Sequence, residues 1–161
     1  MGTAAPDGYA AVTPWIVSRD TAGLLDFMKR AFDAEEVARI TNTDTSIAHA
    51  EARIGDAVIM AFDGPKDARP MPAFLRLYVD DADMAFDRAV DAGATPVTRV
   101  TELAFGDRVG RIRDPFGNIW WLQSHVVDVT PQAMAARAKE AKFVAAMAYV
   151  QASLKVALKS V

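Results

Sequence analysis

With 161 residues, 52% of them hydrophobic and 24% charged, the chain can bury a substantial core as one domain or as two fused modules. A net charge of −3 gives no electrostatic reason to expect nucleic acid or an anionic membrane as partner. The absence of cysteine excludes disulfides, thiolate nucleophiles and Cys-ligated metals.

Residues 1–8 have neither a basic n-region nor an apolar h-region, so no signal peptide is expected, and Gly2 lacks the downstream Ser or Thr of a myristoylation signal. No run approaches the roughly 20 apolar residues of a membrane span. The expectation is a cytoplasmic protein.

In chain order, Tyr9 to Val17 is β-prone and Asp20 or Thr21 caps a helix over about 22–32, whose apolar side is Leu24, Leu25, Phe27, Met28 and Phe32. Strands are predicted over 35–40, 46–54 and 57–62, the last two joined by a Gly55-Asp56 turn. The proline-bearing loop 63–72 is the natural joint. The pattern then restarts: a strand over 74–79, a helix over about 83–92 ended by Gly93, and strands over 96–103, 108–113 and 119–123. Arg30-Ala31-Phe32-Asp33-Ala34 and Arg88-Ala89-Val90-Asp91-Ala92 hold corresponding places in the two halves. The order is therefore βαβββ twice.

Asp114-Pro115-Phe116-Gly117-Asn118 predicts a tight hairpin: Pro115 fixes φ, Gly117 tolerates φ > 0, and Asp114 and Asn118 can bond nearby backbone. The following Trp120 and Trp121 must point to opposite faces of one strand. Each four-stranded sheet has one helix to cover one face, leaving the other faces to curl into a shared cup. The fold class expected is α+β, an open cup-like barrel of two βαβββ modules (9–63 and 72–125) with a C-terminal helical extension (130–159).

Alternation puts Leu75, Leu77 and Val79 under the second helix and Phe74, Arg76 and Tyr78 on the cup face. Likewise Ala48, Ala50, Ala52 and Ile54 face the first helix, opposite Ile47, His49, Glu51 and Arg53. Trp121, Gln123 and His125 oppose Trp120 and Leu122, and Trp15 shares a face with Thr13 and Val17. Beyond His125, Thr130 caps and Pro131 opens a long helix reaching about Lys159. Its stripe of Phe143, Met147, Val150, Leu154 and Leu158 packs on its own barrel or across a dimer; the expectation is a homodimer, since the stripe would otherwise be an exposed apolar patch.

The chain resembles the vicinal-oxygen-chelate superfamily (glyoxalase, bleomycin resistance and extradiol dioxygenase proteins), and within it the PhnB-like branch. The resemblance is carried by Thr13-Pro14-Trp15-Ile16-Val17, Leu25-Asp26-Phe27 with Arg30-Ala31-Phe32, His49 to Asp56, Leu77-Tyr78-Val79-Asp80-Asp81, and Asp114-Pro115-Phe116-Gly117 with Ser124-His125, spanning about residues 9–134. It implies paired βαβββ modules forming a cup, usually in a homodimer. Metalloenzymes of the superfamily hold a divalent ion in the cup through His, Glu or Gln; the corresponding positions here are Thr13, Ile59 (or Met60), Phe74 and Trp121. Thr13 is a poor ligand and the others offer no oxygen or imidazole nitrogen, so no metal or other cofactor is expected.

His49-x-Glu51 puts an imidazole and a carboxylate on one strand face, which reads as a structural pair, as two metal donors, or as the minimum equipment for proton abstraction from a carbon acid. Trp15, Phe74, Tyr78, Trp121 and Gln123, with Arg76 and Arg53, suit a planar ligand bearing an anionic or carbonyl group, although the rings could also fill a collapsed cup. The first reading is a module that binds a small planar or aromatic molecule without the usual metal. The alternative is a lyase or isomerase with His49 as base and Glu51 orienting it, metal-free or with a relocated divalent ion.

Overall fold

The computed structural model describes residues 5–69 and 71–159. It divides into two compact units, one ending at Ala73 and one starting at Phe74. The first contains β1 (Trp15–Ser18), α1 (Thr21–Phe32), β2 (Glu35–Thr41), β3 (Ile47–Ile54) and β4 (Ala57–Asp63). The second contains β5 (Phe74–Tyr78), α2 (Ala82–Asp91), β6 (Thr95–Glu102), β7 (Asp107–Arg113), β8 (Ile119–His125), α3 (Pro131–Arg137) and α4 (Ala141–Leu158). The sheets repeat one topology, β1-β4-β3-β2 and β5-β8-β7-β6, with the first pair parallel and the rest antiparallel. The fold is α+β, two βαβββ modules.

Local chemistry sets the boundaries. Asp20 caps α1 by accepting from Gly23 N at 2.8 Å, and Asp81 caps α2 by accepting from Met84 N at 3.0 Å. All five apolar α1 positions expected inside are buried. In the second unit α2 packs on β7 and β8; its Phe86 and Ala89 are buried, as are Ile112, Trp120 and Leu122 of those strands at no more than 1% exposed. Gly110 leaves room for this helix, since a Cβ there would lie 3.2 Å from the Phe86 ring and 2.8 Å from Val100.

The Asp114 hairpin is built around one carboxylate. Its Oδ1 accepts from Phe116 N and Asn118 N, and its Oδ2 accepts from Asn118 Nδ2 and Trp120 Nε1, all at 2.9 Å. Gly117 closes the turn at φ 96°. This decides the tryptophans: Trp120 is anchored in the core, and Trp121 takes the opposite face.

Three expectations are corrected. Residues 9–14 do not extend β1, which starts at Trp15; Tyr9 is tied to Pro6 by a turn and the segment runs as a strap. Ile47 is buried and Ala48 exposed, the reverse of strict alternation, because a bulge shifts the β2–β3 register from Ile40↔His49 to Thr41↔Ile47. The C-terminal helix is two helices, broken at 138–140, where Lys139 N and Glu140 N bond the carbonyls of Ala136 and Arg137.

The packed face of α4 also differs from the expected stripe. Phe143 and Val150 are its buried side chains, and Ala146, Ser153 and Ala157 complete the inward row, while Met147 and Leu158 are exposed. Small side chains let the helix approach the sheet closely enough for arginines from β7 to reach its carbonyls. Although α4 is apolar and long enough to cross a membrane by length and composition, contrary to the sequence expectation, here it lies against β6.

Candidate functional site

The face of each sheet opposite its helix carries the sequence-predicted residues, and register aligns them in equivalent rows. In the first unit, Trp15 of β1 pairs with Met60 of β4, which pairs with Glu51 of β3. In the second, Arg76 of β5 pairs with Trp121 of β8, Trp121 with Arg111 of β7, and Arg111 with Thr98 of β6. The repeat thus puts an acid, Glu51, and a base, Arg111, at matching positions.

Around Glu51, Oε1 lies 2.9 Å from His49 Nε2, and Oε2 accepts a short hydrogen bond from the Tyr9 hydroxyl. The Tyr9 bond, then His49, hold the Glu51 carboxyl below the usual carboxylate range, and the same bond raises the Tyr9 phenol. Glu51 is therefore a fixed anion orienting His49, whose ring makes an edge contact with Trp15 at 6.0 Å. Trp15 in turn meets Phe62 edge-on at 5.6 Å. Arg53 is turned away from this group: its Nη1 donates to Gly8 O at 3.2 Å, so it holds the strap and does not join His49. Sequence reasoning missed Tyr9, because its contact spans 42 residues and no motif marks it.

In the second unit Trp121 is flanked by two cations, with the Arg76 guanidinium 4.8 Å and the Arg111 guanidinium 4.1 Å from its ring centroid. Arg111 was not among the predicted residues; alternation from Trp121 to its neighbour on β7 could have found it. It is 3% exposed, and its Nη1 donates to Thr98 Oγ1 at 3.1 Å and to Val150 O of α4 at 2.8 Å. Among the described residues no carboxylate pairs with Arg111 or Arg76. Burial, and then Arg76, lower the Arg111 pKa to about 10.

Gln123 donates a short hydrogen bond from Nε2 to buried Asp107, so its Oε1 is its remaining group. Three buried polar atoms on this face have no partner among the described residues: Arg111 Nε, Trp121 Nε1 and Gln123 Oε1. Leaving such atoms unmatched costs about 1–3 kcal/mol each. Phe74, Arg76 and Tyr78 on edge strand β5 remain exposed, Phe74 at 56% and Tyr78 at 62%. The face is thus half covered by α4 and half open.

His125 ends β8 with Nδ1 2.7 Å from Asp107 and Nε2 3.0 Å from Asp128; both carboxylates, Asp107 first, raise its pKa. It fastens the segment leading to α3.

The positions that would hold a divalent ion in metalloenzymes of this fold do not fit one. Thr13 Oγ1 donates to Ala10 O, Ile59 is buried on the α1 side, Met60 offers a thioether, Phe74 has no donor, and Trp121 is flanked by guanidiniums. Among the described residues no three His, Asp or Glu side chains cluster as a metal would require.

The family model described as Glyoxalase/Bleomycin resistance protein/Dioxygenase superfamily matches residues 8–122. The chain belongs to this superfamily. An uncharacterized protein of Mycobacterium bovis is 38% identical over 130 residues, covering 74% of this chain and 86% of that relative. Solved structures share the superfamily fold: TioX from Micromonospora sp. ML1 (TM-score 0.60, 22% identity, 75% of this chain and 100% of that one). The PhnB protein from Bacillus cereus is similar at TM-score 0.57 and 15% identity, over 71% of this chain and 99% of that one. The fosfomycin resistance protein FosX from Mesorhizobium loti matches at TM-score 0.55 and 18% identity, over 73% and 93%.

Proposed function

We propose that this superfamily member binds a small planar molecule bearing an acid group, without a metal ion, on the face formed by β5, β8 and β7. The observation that carries the reading is the row Arg76–Trp121–Arg111: two guanidiniums over one indole, with no carboxylate among the described residues to neutralise them. A flat ring stacks on exposed Phe74 or Tyr78 while its acid group meets Arg76. Gln123 serves as the acceptor for a hydroxyl or N–H on the ligand. The donor set at the family's metal positions supports a metal-free site. Exposed Val144, Tyr149, Val156 and Leu158 on α4 support a homodimer, which light scattering of the full chain tests. The same reading has the protein working in the cytoplasm with α4 on its own sheet; recovery of the full chain in a membrane pellet would overturn that.

The test is a tryptophan-fluorescence screen with 2-naphthoate, 1-naphthalenesulfonate and neutral naphthalene methanol. A charge-assisted contact is worth about 1.5–3 kcal/mol, so Arg76→Ala is expected to weaken the two anions by roughly tenfold to a hundredfold and leave the neutral alcohol unchanged. Equal weakening of all three, or no binding by any planar anion, refutes the reading.

The His49–Glu51–Tyr9 arrangement favours a second reading, an isomerase or lyase. With Nε2–H directed at a fixed carboxylate, Nδ1 of His49 is the atom that takes a proton from a carbon acid, and Trp15 forms one wall beside it. His49→Ala then abolishes turnover and retains ligand affinity; retained turnover excludes His49 as the base.

A further inference from the structure

The two guanidiniums beside Trp121 are treated differently by α4. Arg76 is left open on the edge strand, whereas Arg111 is covered and bonded to a backbone carbonyl of the helix. Arg113 repeats the arrangement, its Nη2 donating to Ala157 O at 2.6 Å. A neutral carbonyl oxygen stands in each case where a guanidinium would bind an anion far better. Among the described residues, Arg111 Nε and Trp121 Nε1 are also buried N–H donors without acceptors, and Gln123 Oε1 is an acceptor without a donor. Burial under the helix therefore leaves this face short of acceptors.

The fully buried apolar side chains that hold α4 are few. Its buried side chains are Phe143 and Val150; the latter joins Leu103 and Val109, with Trp121 and Ala146 packed beside them. The other ties include Thr98 Oγ1 to Ser153 Oγ at 2.7 Å, Arg99 N to Tyr149 Oη at 2.8 Å, the Arg111 and Arg113 bonds to helix carbonyls, and the Arg137 guanidinium 4.4 Å from the Phe143 ring centroid. Just before α4 the helical path breaks at 138–140, while Arg137 of α3 is anchored to Ala104 O at 2.9 Å and to Glu102 at 2.7 Å. The break gives a hinge between an anchored α3 and an α4 held mainly by polar ties, with Phe143 and Val150 as its buried side chains.

We propose that α4 is a displaceable cover over an anion site centred on Arg111, and that a planar acid binds by replacing the Val150 carbonyl there. The inference rests on the reading of this face as a planar-acid site. In the bound state the acid group lies between Arg111 and Arg76 and also takes the Trp121 N–H. A donor group on the ring reaches Gln123 Oε1. Ligand affinity is then set by how readily α4 leaves.

The natural chain has no cysteine, so Thr98→Cys with Ser153→Cys creates a single possible disulfide across the helix–sheet contact. Binding of 2-naphthoate is measured on the same variant, oxidised and reduced. The expected result is at least tenfold weaker binding when α4 is locked, restored by reductant. Equal affinity in both states overturns the cover, and it does so while leaving the planar-acid reading intact. Failure of wild-type protein to bind any planar anion removes both. Should the disulfide not form, amide exchange across 141–158 decides: 2-naphthoate is expected to speed exchange in α4, and unchanged or slower exchange refutes displacement.

Discussion

Replacing Arg111 by methionine separates a residue kept for binding from one kept for folding. A buried side chain with hydrogen bonds to two elements ordinarily reads as structural, and breaking a buried ion pair costs about 3–5 kcal/mol because a charge is stranded. Arg111 has no ionic partner to strand. The fall of its pKa from 12.5 to about 10 corresponds to roughly 3 kcal/mol against keeping it charged in place. Against that stand its two bonds, to Thr98 Oγ1 and Val150 O, worth about 1.5–3 kcal/mol each. Both partners keep other bonds when Arg111 is removed: Thr98 retains Ser153, and Val150 O also accepts from Ser153 Oγ at 3.2 Å. A methionine thioether recovers about 0.3–1.5 kcal/mol at the Trp121 ring, which roughly cancels the cation–π contact of about 0.5–2 kcal/mol lost with the guanidinium. The sum is a net change of about 2 kcal/mol or less in either direction, or less than about 8 °C in melting temperature for a chain of this size. Arg111→Met is thus expected to melt near wild type by calorimetry while losing at least tenfold in affinity for 2-naphthoate. A fall in melting temperature beyond about 10 °C would refute the reasoning and return Arg111 to the fold.

Asp114→Ala is the opposite case. It strands the buried Trp120 Nε1, Asn118 Nδ2 and two backbone N–H groups at once, and a loss of about 3–5 kcal/mol is expected in urea unfolding; a loss under 1.5 kcal/mol would show that the hairpin does not depend on this carboxylate. Glu36 accepts from Arg39 Nε at 2.7 Å and Lys29 Nζ at 2.8 Å, which, in that order, lower its pKa from 4.5 to about 2. Because the folded value is the lower one, this stability is present above pH 4.5 and is lost as pH falls through 2. After discounting for solvent screening it is on the order of 1 kcal/mol. Glu36→Gln is expected to flatten the fall in melting temperature between those pH values, and an unaltered slope rules the cluster out as its source.

The sequence by itself determined the repeat, most of the elements, and the faces of α1 and β8. Apolar periodicity in Leu24, Leu25, Phe27, Met28 and Phe32 left α1 one way to sit, and period-two alternation committed Trp120 and Trp121 to opposite faces before any packing was known. Side-chain caps such as Asp20, Asp81 and Thr130 are local and were legible because their partners lie three residues away. The residue types at the positions the resemblance assigns to a metal, Thr13, Ile59 or Met60, Phe74 and Trp121, are likewise a matter of residue identity alone.

Only tertiary structure decided what lies on the faces left free by α1 and α2. The strap that brings Tyr9 to Glu51 and the helix that brings Val150 to Arg111 act across 42 and 39 residues, and neither contact follows from any local pattern. The face of α4 shows why. Hydrophobicity favours the stripe through Met147 and Leu158, but close approach to a sheet rich in arginine favours Ala146, Ser153 and Ala157, whose small side chains let guanidiniums reach the helix carbonyls, with Leu154 half-buried beside them. Which demand wins depends on the surface the helix meets, and that surface exists only once β6, β7 and β8 have assembled.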